Sequence, residues 1–429
     1  MNTSTIIAVL PIGEIDSDII HSEFESILRA FDGLEVELFI ANPVSDEQAA
    51  WQSIQDLSKR KLDLLLLVPL RGLSAQILES AALAADIPCL ICPVQGRFAL
   101  PSSALAIGAL QQSNVPVELL YAPPDHPDFI ERLQYITRTV RAFSQIQRSR
   151  IGVIGGLFPN LVSCRYDPAI VNSKLGTTLV PISFEVIRNA IQSVSASVNH
   201  VEKAQRETAA SYKIGAADMH ALNAGIQLHL ALKQVAEEQE LDGFATECWS
   251  GFPKELGLNP CLGFVEDAYT LACEGDVMLC ISFLLIRYLN NTSAYAGDLY
   301  DVNMDGILTL IHCGAPASLG PHKEEIIVSK SQLALERGFE TMTCRPRLEN
   351  GPVTLFRFYG QECDKLHLAF GELLSSELSP NLTVKVALNG NRWEFLEQCF
   401  GNHYVVVRGD IRNELKLLGK WLRIKIFET

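Results

Sequence analysis

Strand and helix signals alternate regularly through the first 120 residues, and this alternation restricts the fold more than any other feature of the sequence. Short apolar runs predict buried strands, and each is followed by a segment of helical periodicity. The predicted order is strand Ile6–Leu10, helix Ser17–Phe31, strand Val36–Ala41, helix Asp46–Arg60, strand Leu62–Pro69, helix Ser74–Ala84 and strand Pro88–Pro93. Alternation of this kind indicates a doubly wound, parallel sheet.

The same pattern begins again at Arg150, after a long helical segment predicted over Asp128–Ser149. The predicted elements of this second cycle are strands Ile151–Ile154, Leu179–Ile182, Gly243–Glu247 and Ile307–His312, and helices Phe184–Val194, Met219–Glu240 and Ala272–Leu289. From about Glu324 the pattern changes to short alternating strands with hairpin signals such as Asn389-Gly390. We therefore predict two Rossmann-like, doubly wound α/β domains followed by a smaller, mostly β C-terminal domain, with bounds 1–148, 149–322 and 323–429.

Charge and composition narrow the classes of partner. The formal net charge is −15, and no cluster of Lys and Arg stands out, so nucleic acid and anionic membrane surfaces are poor partners. The longest apolar runs, Leu64–Leu70 and Val277–Ile286, are shorter than the roughly 20 residues of a membrane span. The first residues lack the basic region and cleavage site of a signal peptide. The eleven cysteines show no paired metal-type C-x-x-C pattern and predict thiols in a reducing compartment, hence a cytoplasmic protein.

Acidic residues are concentrated between Ala272 and Gly314. Glu274 lies on a turn beside a glycine, where a side chain can project into a cleft, whereas Asp276 precedes an apolar helix and suits an N-cap equally well. Asp298 follows after one predicted helix and one turn, which we interpret as a single α/β crossover. Both carboxylates would then reach the carboxyl end of one parallel sheet, where sites gather in such folds. A solvated loop is the alternative for Asp298 and the better interpretation for Asp301.

Two histidines accompany these acids. His312 ends an apolar strand, and His403 precedes another. A single histidine at such a place is more often structural than a ligand, and His403 taken alone reads as a turn residue. Two carboxylates with a histidine at strand ends nevertheless predict a site for Mn²⁺ or a similar ion, because oxygen and imidazole donors suit such metals.

Several segments, in the same order along the chain, resemble the L-fucose and L-arabinose isomerase family. They are Arg97–Ser103, Glu247-Cys248-Trp249 with Cys261, Ala272–Val277, His312-Cys313-Gly314, Gly351–Leu355, and Asn402-His403-Tyr404 followed by Arg408-Gly409-Asp410. Each motif is weak alone, but together they are fairly specific. The chain is shorter than a full member of that family and has a single C-terminal histidine where relatives often have two, which leaves the substrate open.

The resemblance implies a metal-dependent aldose–ketose isomerase that works through an ene-diol or ene-diolate. Glu274 and Asp298 would be both metal ligands and proton carriers, His403 would be the third ligand, and His312 a ligand or a neighbour of one. The implied ion is Mn²⁺, or Co²⁺ or Mg²⁺. The implied assembly is a homo-oligomer, trimer or hexamer, whose active site lies at a subunit interface. Candidates for substrate contact are Arg97, Ser102, Arg165 and Trp249, although a strand-to-helix connection with an N-cap explains the serine and core packing explains the tryptophan equally well.

The sugar itself stays open at this point. A pentose or a 6-deoxyhexose is the default that the resemblance implies, and a hexose with a charged group at C6, such as sulfoquinovose, is an alternative. An anion would require Arg or Lys, and the sequence offers Arg97, Arg165, Arg345 and Arg347 without placing them.

Two other classes of function match parts of the sequence. Gly155-Gly156 after a strand suggests a dinucleotide site only faintly, because the G-x-G-x-x-G spacing and the acid about 20 residues on are missing. A non-catalytic sugar-binding protein with two doubly wound domains is the second candidate. It has no need of an acidic cluster at strand ends.

Overall fold

Two compact units make up the chain in its computed structural model, which describes residues 4–214, 219–265, 268–330, 336, 342–378 and 380–429. One unit contains the residues up to Ser144 together with Asn413–Trp421, and the other contains Gln145–Arg412 with Leu422–Thr429. The division of the sequence into three domains stays a prediction.

The first unit is built on a five-stranded parallel sheet, as the strand–helix alternation predicts. Its strand order is β2-β1-β3-β4-β5, a doubly wound order. The strands are β1 (Thr5–Ile12), β2 (Val36–Ile40), β3 (Leu64–Pro69), β4 (Cys89–Ile91) and β5 (Val117–Leu119). The helices are α1 (Asp18–Arg29), α2 (Glu47–Leu57), α3 (Ala75–Ala85), α4 (Ala99–Gln112) and α5 (Pro127–Ile146). All six side chains of β3 are buried, as expected for a parallel strand covered on both faces.

The second unit begins with a four-stranded parallel sheet in the order β10-β9-β6-β7. Its strands are β6 (Arg150–Ile154), β7 (Thr178–Ile182), β9 (Gly243–Thr246) and β10 (Thr270–Ala272). The helices are α6 (Pro168–Leu175), α7 (Phe184–Ala196), α8 (Val198–Ser211), α9 (Met219–Gln239), α10 (Gly251–Leu256) and α11 (Val277–Asn290). A small sheet joins β8 (Lys213–Ile214), β13 (Ile327–Lys330) and β14 (Met342–Arg345).

Six antiparallel strands form a closed ring in the same unit, in the order β15-β18-β11-β12-β17-β16, with β16 pairing back onto β15. They are β11 (Tyr295–Val302), β12 (Ile307–His312), β15 (Gly351–Tyr359), β16 (Lys365–Glu377), β17 (Leu382–Leu388) and β18 (His403–Arg408). A parallel strand, β19 (Lys425–Glu428), pairs with β16 on its outside. Later in the described chain lie the helices α12 (Arg392–Glu397) and α13 (Arg412–Trp421), the second of which belongs mostly to the first unit. The interior of this barrel is apolar and includes Leu308, Leu355, Val384 and Val406.

The barrel corrects one prediction from the sequence. The segment around Asp298 was interpreted as the end of an α/β crossover, and the strand Ile307–His312 was assigned to the parallel sheet. Both segments are barrel strands instead, because β11 pairs with β12 and β18, and β12 with β17. The observed architecture is therefore a mixed α/β fold with two parallel sheets and an antiparallel barrel. The barrel begins at Tyr295, whereas the sequence pattern predicted that the β-rich part begins at about Glu324. Among the described residues, no helix is both long enough and apolar enough to cross a bilayer.

Candidate metal centre

Glu274 occupies a tight turn between β10 and α11. Its backbone has φ 59°, a left-handed conformation that is costly for a residue with a side chain. Gly275 follows at φ 72°, where an added Cβ would lie 1.8 Å from the carbonyl oxygen of Gly156. The turn is held by two bonds: the Phe158 N–H donates to the Glu274 carbonyl, and the Gly275 N–H donates to that of Thr246, both at 2.9 Å. This fixed backbone determines where the Glu274 carboxylate points.

Asp298 and His403 face each other across two neighbouring barrel strands. They are directly paired in the register of β11 and β18. His403 is the first residue of β18 and is completely buried, so it is not the turn residue that the isolated sequence suggests. The neighbouring Asn402 side chain donates a hydrogen bond to Asp298 Oδ1. Because directly opposed residues of a ladder lie close together, the barrel fixes the spacing of these two side chains.

The three side chains converge on one point. His403 Nε2 lies 3.8 Å from Glu274 Oε2 and 3.5 Å from Asp298 Oδ1. These separations exceed a hydrogen bond, and Nε2 is buried without a hydrogen-bond partner among the described residues. Donor atoms bound to one ion at about 2.1 Å lie roughly 3 to 4 Å from each other. The set Glu274, Asp298 and His403 therefore fits a single divalent cation, and the unpartnered ring nitrogen is the observation that favours one.

The other ring nitrogen of His403 is held by a buried carboxylate. His403 Nδ1 lies 3.0 Å from Asp276 Oδ2, which also accepts a hydrogen bond from Arg357 Nη1 at 2.6 Å. The second oxygen of Asp276 accepts from the Leu279 N–H at 3.0 Å and so caps α11. Arg357 Nη2 donates to the Cys164 sulfur at 2.9 Å. A carboxylate on the distal nitrogen fixes the ring orientation and leaves Nε2 available as a ligand, which is the usual support of a metal-binding histidine.

The electrostatics follow from burial and from these pairs. Burial raises the pKa of the Glu274 carboxyl to about 7; His403 opposes this shift, and the charges of Asp298 and Asp276 add to it. For Asp276, burial alone would raise the pKa, but Arg357 and His403 hold it well below its usual range. Burial lowers the pKa of His403, yet the hydrogen bond to Asp276 and the surrounding acids raise it above its ordinary value overall. Burial raises the pKa of the Cys164 thiol to about 12, so that thiol stays protonated.

His312 lies beside the three ligand candidates without joining them. Its ring centroid is 6.0 Å from that of His403, and burial lowers its pKa to about 4, so the ring is neutral near pH 7. Its role as a ligand stays a prediction.

Two cavities meet at the centre. The outer cavity, of about 450 Å³, is lined by Phe158, Asn160, Leu161, Val162, Ser163, Trp249, Glu274, Asp298 and Asn402. The inner cavity, of about 210 Å³, is lined by Cys248, Trp249, Asn259, Cys261, Cys273, Glu274, Asp298, Ile311, His312, Cys313 and Asn381. Trp249, Glu274 and Asp298 border both, and the ring of Trp249 packs against Phe158 at 5.5 Å. A substrate bound at the carboxylates can therefore extend into either space.

The remaining sequence candidates lie elsewhere. Arg165 is exposed on the second unit, two residues after Ser163 of the outer cavity. Arg97 and Ser102 belong to the first unit. Arg97 forms a 2.8 Å ion pair with Asp16, and the Ser102 hydroxyl accepts a hydrogen bond from the Leu73 N–H. Roles for these residues in substrate binding stay predictions.

Sequence reasoning overlooked Arg357 and Cys164, and for Asp276 it left a helix N-cap and a role in the site as equally good interpretations. One signal was present. Arg357 stands between Phe356 and Phe358 in an apolar strand, and a charged residue in such a place is seldom buried without a partner.

Comparison with known proteins adds to this geometry. A protein from Priestia aryabhattai named sulfoquinovose isomerase is 25% identical over 361 residues, which cover 77% of this chain and 76% of that protein. The protein of the same name from Priestia megaterium gives the same values. The one from Alkalicoccus urumqiensis is 25% identical over 332 residues, covering 74% and 73%. These names support the expected class, a sugar isomerase, whereas membership of the L-fucose and L-arabinose isomerase family stays a prediction.

No family model matches the chain. Among solved structures, a periplasmic solute-binding protein of an ABC transporter from Actinobacillus succinogenes, with bound D-allose, aligns at 10% identity and a TM-score of 0.20, covering 66% of this chain and 92% of that one. A similarity this low carries no argument for the sugar-binding alternative.

Proposed function

We propose that this protein is a metal-dependent aldose–ketose isomerase that acts on a free sugar through an ene-diol. The observation that carries the proposal is the convergence of Glu274, Asp298 and the unpartnered Nε2 of buried His403. Relatives that are named as isomerases support the same reaction class. The proposed ion is Mn²⁺, with Co²⁺ or Mg²⁺ as alternatives.

The reaction moves one proton between C1 and C2 and another between O1 and O2. Glu274 and Asp298 come from separate elements, a turn after β10 and strand β11, so a substrate at their junction can meet a carboxylate from two directions. The Glu274 carboxylate borders both cavities, which suits it for accepting a proton from a bound sugar and returning it. When bound, a divalent ion would polarise O1 and O2 and keep the carboxylates ionised. Asp276 and Arg357 would hold the imidazole of His403 in place during this exchange.

The proposed substrate is a six-carbon sugar with an anionic group at C6, of which sulfoquinovose is the example given by the names of the relatives. A pentose or a 6-deoxyhexose is the alternative within the same reaction. The choice does not alter the roles of the carboxylates, because isomerisation concerns only C1 and C2.

A metal-supplemented screen tests the proposal. The protein is incubated with Mn²⁺ and, separately, sulfoquinovose, glucose, fucose, arabinose and rhamnose, and ketose formation is followed by NMR. We expect one aldose to be converted, the activity to disappear after exhaustive chelation with EDTA, and added Mn²⁺ to restore it. Full activity after chelation would contradict the metal mechanism. Tight sugar binding with no turnover of any aldose would favour the sugar-binding alternative.

We further propose that the protein is a homo-oligomer. Leu73 and Phe98, in the first unit, are 99% and 80% exposed and have left-handed backbones. Large exposed apolar side chains mark interaction surfaces when they occur together, and the Gly72 N–H donates to the Arg97 carbonyl, which brings these two loops together. Sedimentation of the protein is expected to give a trimer or a hexamer. The double variant Leu73→Ser, Phe98→Ser is expected to weaken this assembly, and a fully active monomer would refute the proposal.

We also propose a cytoplasmic location, since all eleven cysteines are thiols rather than disulfides.

A further inference from the structure

The inner cavity beside Glu274 and Asp298 contains polar groups that nothing else in the described structure satisfies. Asn259 and Asn381 both line it, and the side-chain oxygen of each is buried without a hydrogen-bond partner. Buried polar atoms are nearly always paired, because leaving one unpaired costs about 1 to 3 kcal/mol. Two buried, unpaired amide oxygens on residues that line the same cavity therefore point to a ligand that brings hydroxyl groups.

A buried positive charge stands behind the same cavity. Arg345, on β14, is only 3% exposed, and its Nε and Nη1 have no hydrogen-bond partner within the described part of the chain. Its Nη2 donates to the hydroxyl of Ser329, a neutral group. Among the described residues, no carboxylate lies within ion-pair distance of this guanidinium. A buried charge without a counter-charge is costly, so its retention indicates that an anion approaches it in some state of the protein.

Backbone contacts place Arg345 next to the wall of the cavity. The Ala315 N–H donates to the Cys344 carbonyl at 2.9 Å, which pairs the residues after Cys313 with β14. The contact is close, since a Cβ on Gly314 would lie 2.1 Å from the hydroxyl oxygen of Thr343. Burial lowers the pKa of Arg345, and the neighbouring thiols of Cys313 and Cys344 oppose that shift. Cys313 lines the inner cavity and Arg345 does not, so the charge of Arg345 lies near the segment that forms this wall rather than in the cavity itself.

The other arginines that the sequence offered for an anion differ from Arg345. Arg97 is paired with Asp16, and Arg347 with Glu325 at 3.4 Å. Arg165 is exposed, so water screens its charge. Burial without a carboxylate partner among the residues that the structure describes therefore distinguishes Arg345 within this set.

We infer that the inner cavity is the subsite for the anionic end of the sugar, with Asn259 and Asn381 binding its hydroxyl groups and Arg345 favouring the terminal anion. This inference rests on the proposed function, because it takes C1 and C2 to lie at the carboxylates. It adds the direction in which the substrate extends, away from the outer cavity, and the residues that select a charged substrate.

Equilibrium binding tests this assignment independently of turnover. Dissociation constants are measured by calorimetry, with Mn²⁺ present, for sulfoquinovose and for 6-deoxyglucose, which lacks only the sulfonate. The wild-type protein is expected to prefer sulfoquinovose. Arg345→Met is expected to weaken sulfoquinovose binding about 10- to 100-fold, because the attraction between the anion and a nearby buried positive charge is lost. Arg345→Lys keeps the charge and should retain much of the preference. Arg347→Met, two residues further on and exposed, is the matched control and should retain all of it.

The amides are tested in the same way. Asn259→Ala and Asn381→Ala should weaken both sugars by similar factors, because hydroxyl contacts are common to the two. Equal binding of the two sugars by the wild-type protein, or unchanged sulfoquinovose binding by Arg345→Met, would overturn the inference. Arg345-dependent binding without ketose formation would leave the subsite standing and remove the isomerase proposal. If the Arg345→Met variant binds sulfoquinovose normally and ketose is formed, the isomerase proposal would stand and the subsite would be overturned.

Discussion

Glu274→Gln is expected to lower isomerase turnover by about 1000-fold or more while the protein stays folded. Loss of a general acid–base group alone costs about 100- to 10,000-fold, and glutamine also removes a charged ligand from the proposed metal centre. The fold should tolerate the change, because glutamine has the same shape and the Glu274 backbone is held by Gly275 and Phe158 rather than by its carboxylate. The rate of ketose formation at saturating Mn²⁺ is the measurement, with circular dichroism to check folding.

Asp301→Asn is the matched control for this experiment. Asp301 lies on β11 only three residues after Asp298, but its side chain is exposed. Its turnover should stay within about twofold of wild type, since surface substitutions rarely disturb a distant site. More than a tenth of wild-type activity in Glu274→Gln would remove Glu274 from the mechanism. Metal content, measured on the same samples, separates a lost ligand from a lost proton carrier.

Arg357→Met is expected to reduce the free energy of unfolding of the metal-free protein by about 3 to 5 kcal/mol. Arg357 is 1% exposed, and its partner Asp276 is completely buried. Without the guanidinium, the Asp276 carboxylate keeps its bonds to the Leu279 N–H and His403 but loses its balancing charge. Urea unfolding near pH 7.5, with EDTA present, gives the difference directly.

Two further variants make this result specific. Arg408→Met removes an exposed arginine from β18 that pairs with Glu349 at the surface, and it should cost less than about 1 kcal/mol. Adding Asp276→Asn to Arg357→Met removes the unbalanced charge and should recover part of the loss. A cost below about 1 kcal/mol for Arg357→Met would show that the pair is not important for stability.

Local patterns predicted most of the parallel layers. The first four strands and first three helices match their predicted segments to within a few residues, because a buried parallel strand and an amphipathic helix leave distinct periodicities. Helix α4 and strand β5 were not predicted. The turn at Glu274 was predicted from the neighbouring glycine, but strand β10 before it was not predicted, and the predicted helix began at Ala272 rather than at Val277. Resemblance to a family, rather than any local pattern, singled out His403.

Long-range pairing was not predictable in the same way. The residues near Asp298 do not indicate that β11 pairs with β18, which lies about a hundred positions later in the sequence. The segment was therefore interpreted as part of a crossover. The contacts of Asp276 with Arg357 and His403 also depend on long-range strand pairing. Asp276 looks like any helix cap until Arg357 and His403, from two other strands, are brought against it. Only the closed ring of strands supplies these contacts.

The order in which the ligand candidates leave the ribosome has a consequence for loading the site. Glu274 and Asp298 are synthesised well before His403, whose position is fixed only when β18 is inserted between β15 and β11 to close the ring. An ion that arrives earlier would meet two acids without the imidazole, and such a pair has little selectivity among divalent cations. For the proposed metal centre, selection of the ion would thus be postponed until synthesis is nearly complete, and the concentrations of free ions at that moment would decide which one the new molecule retains.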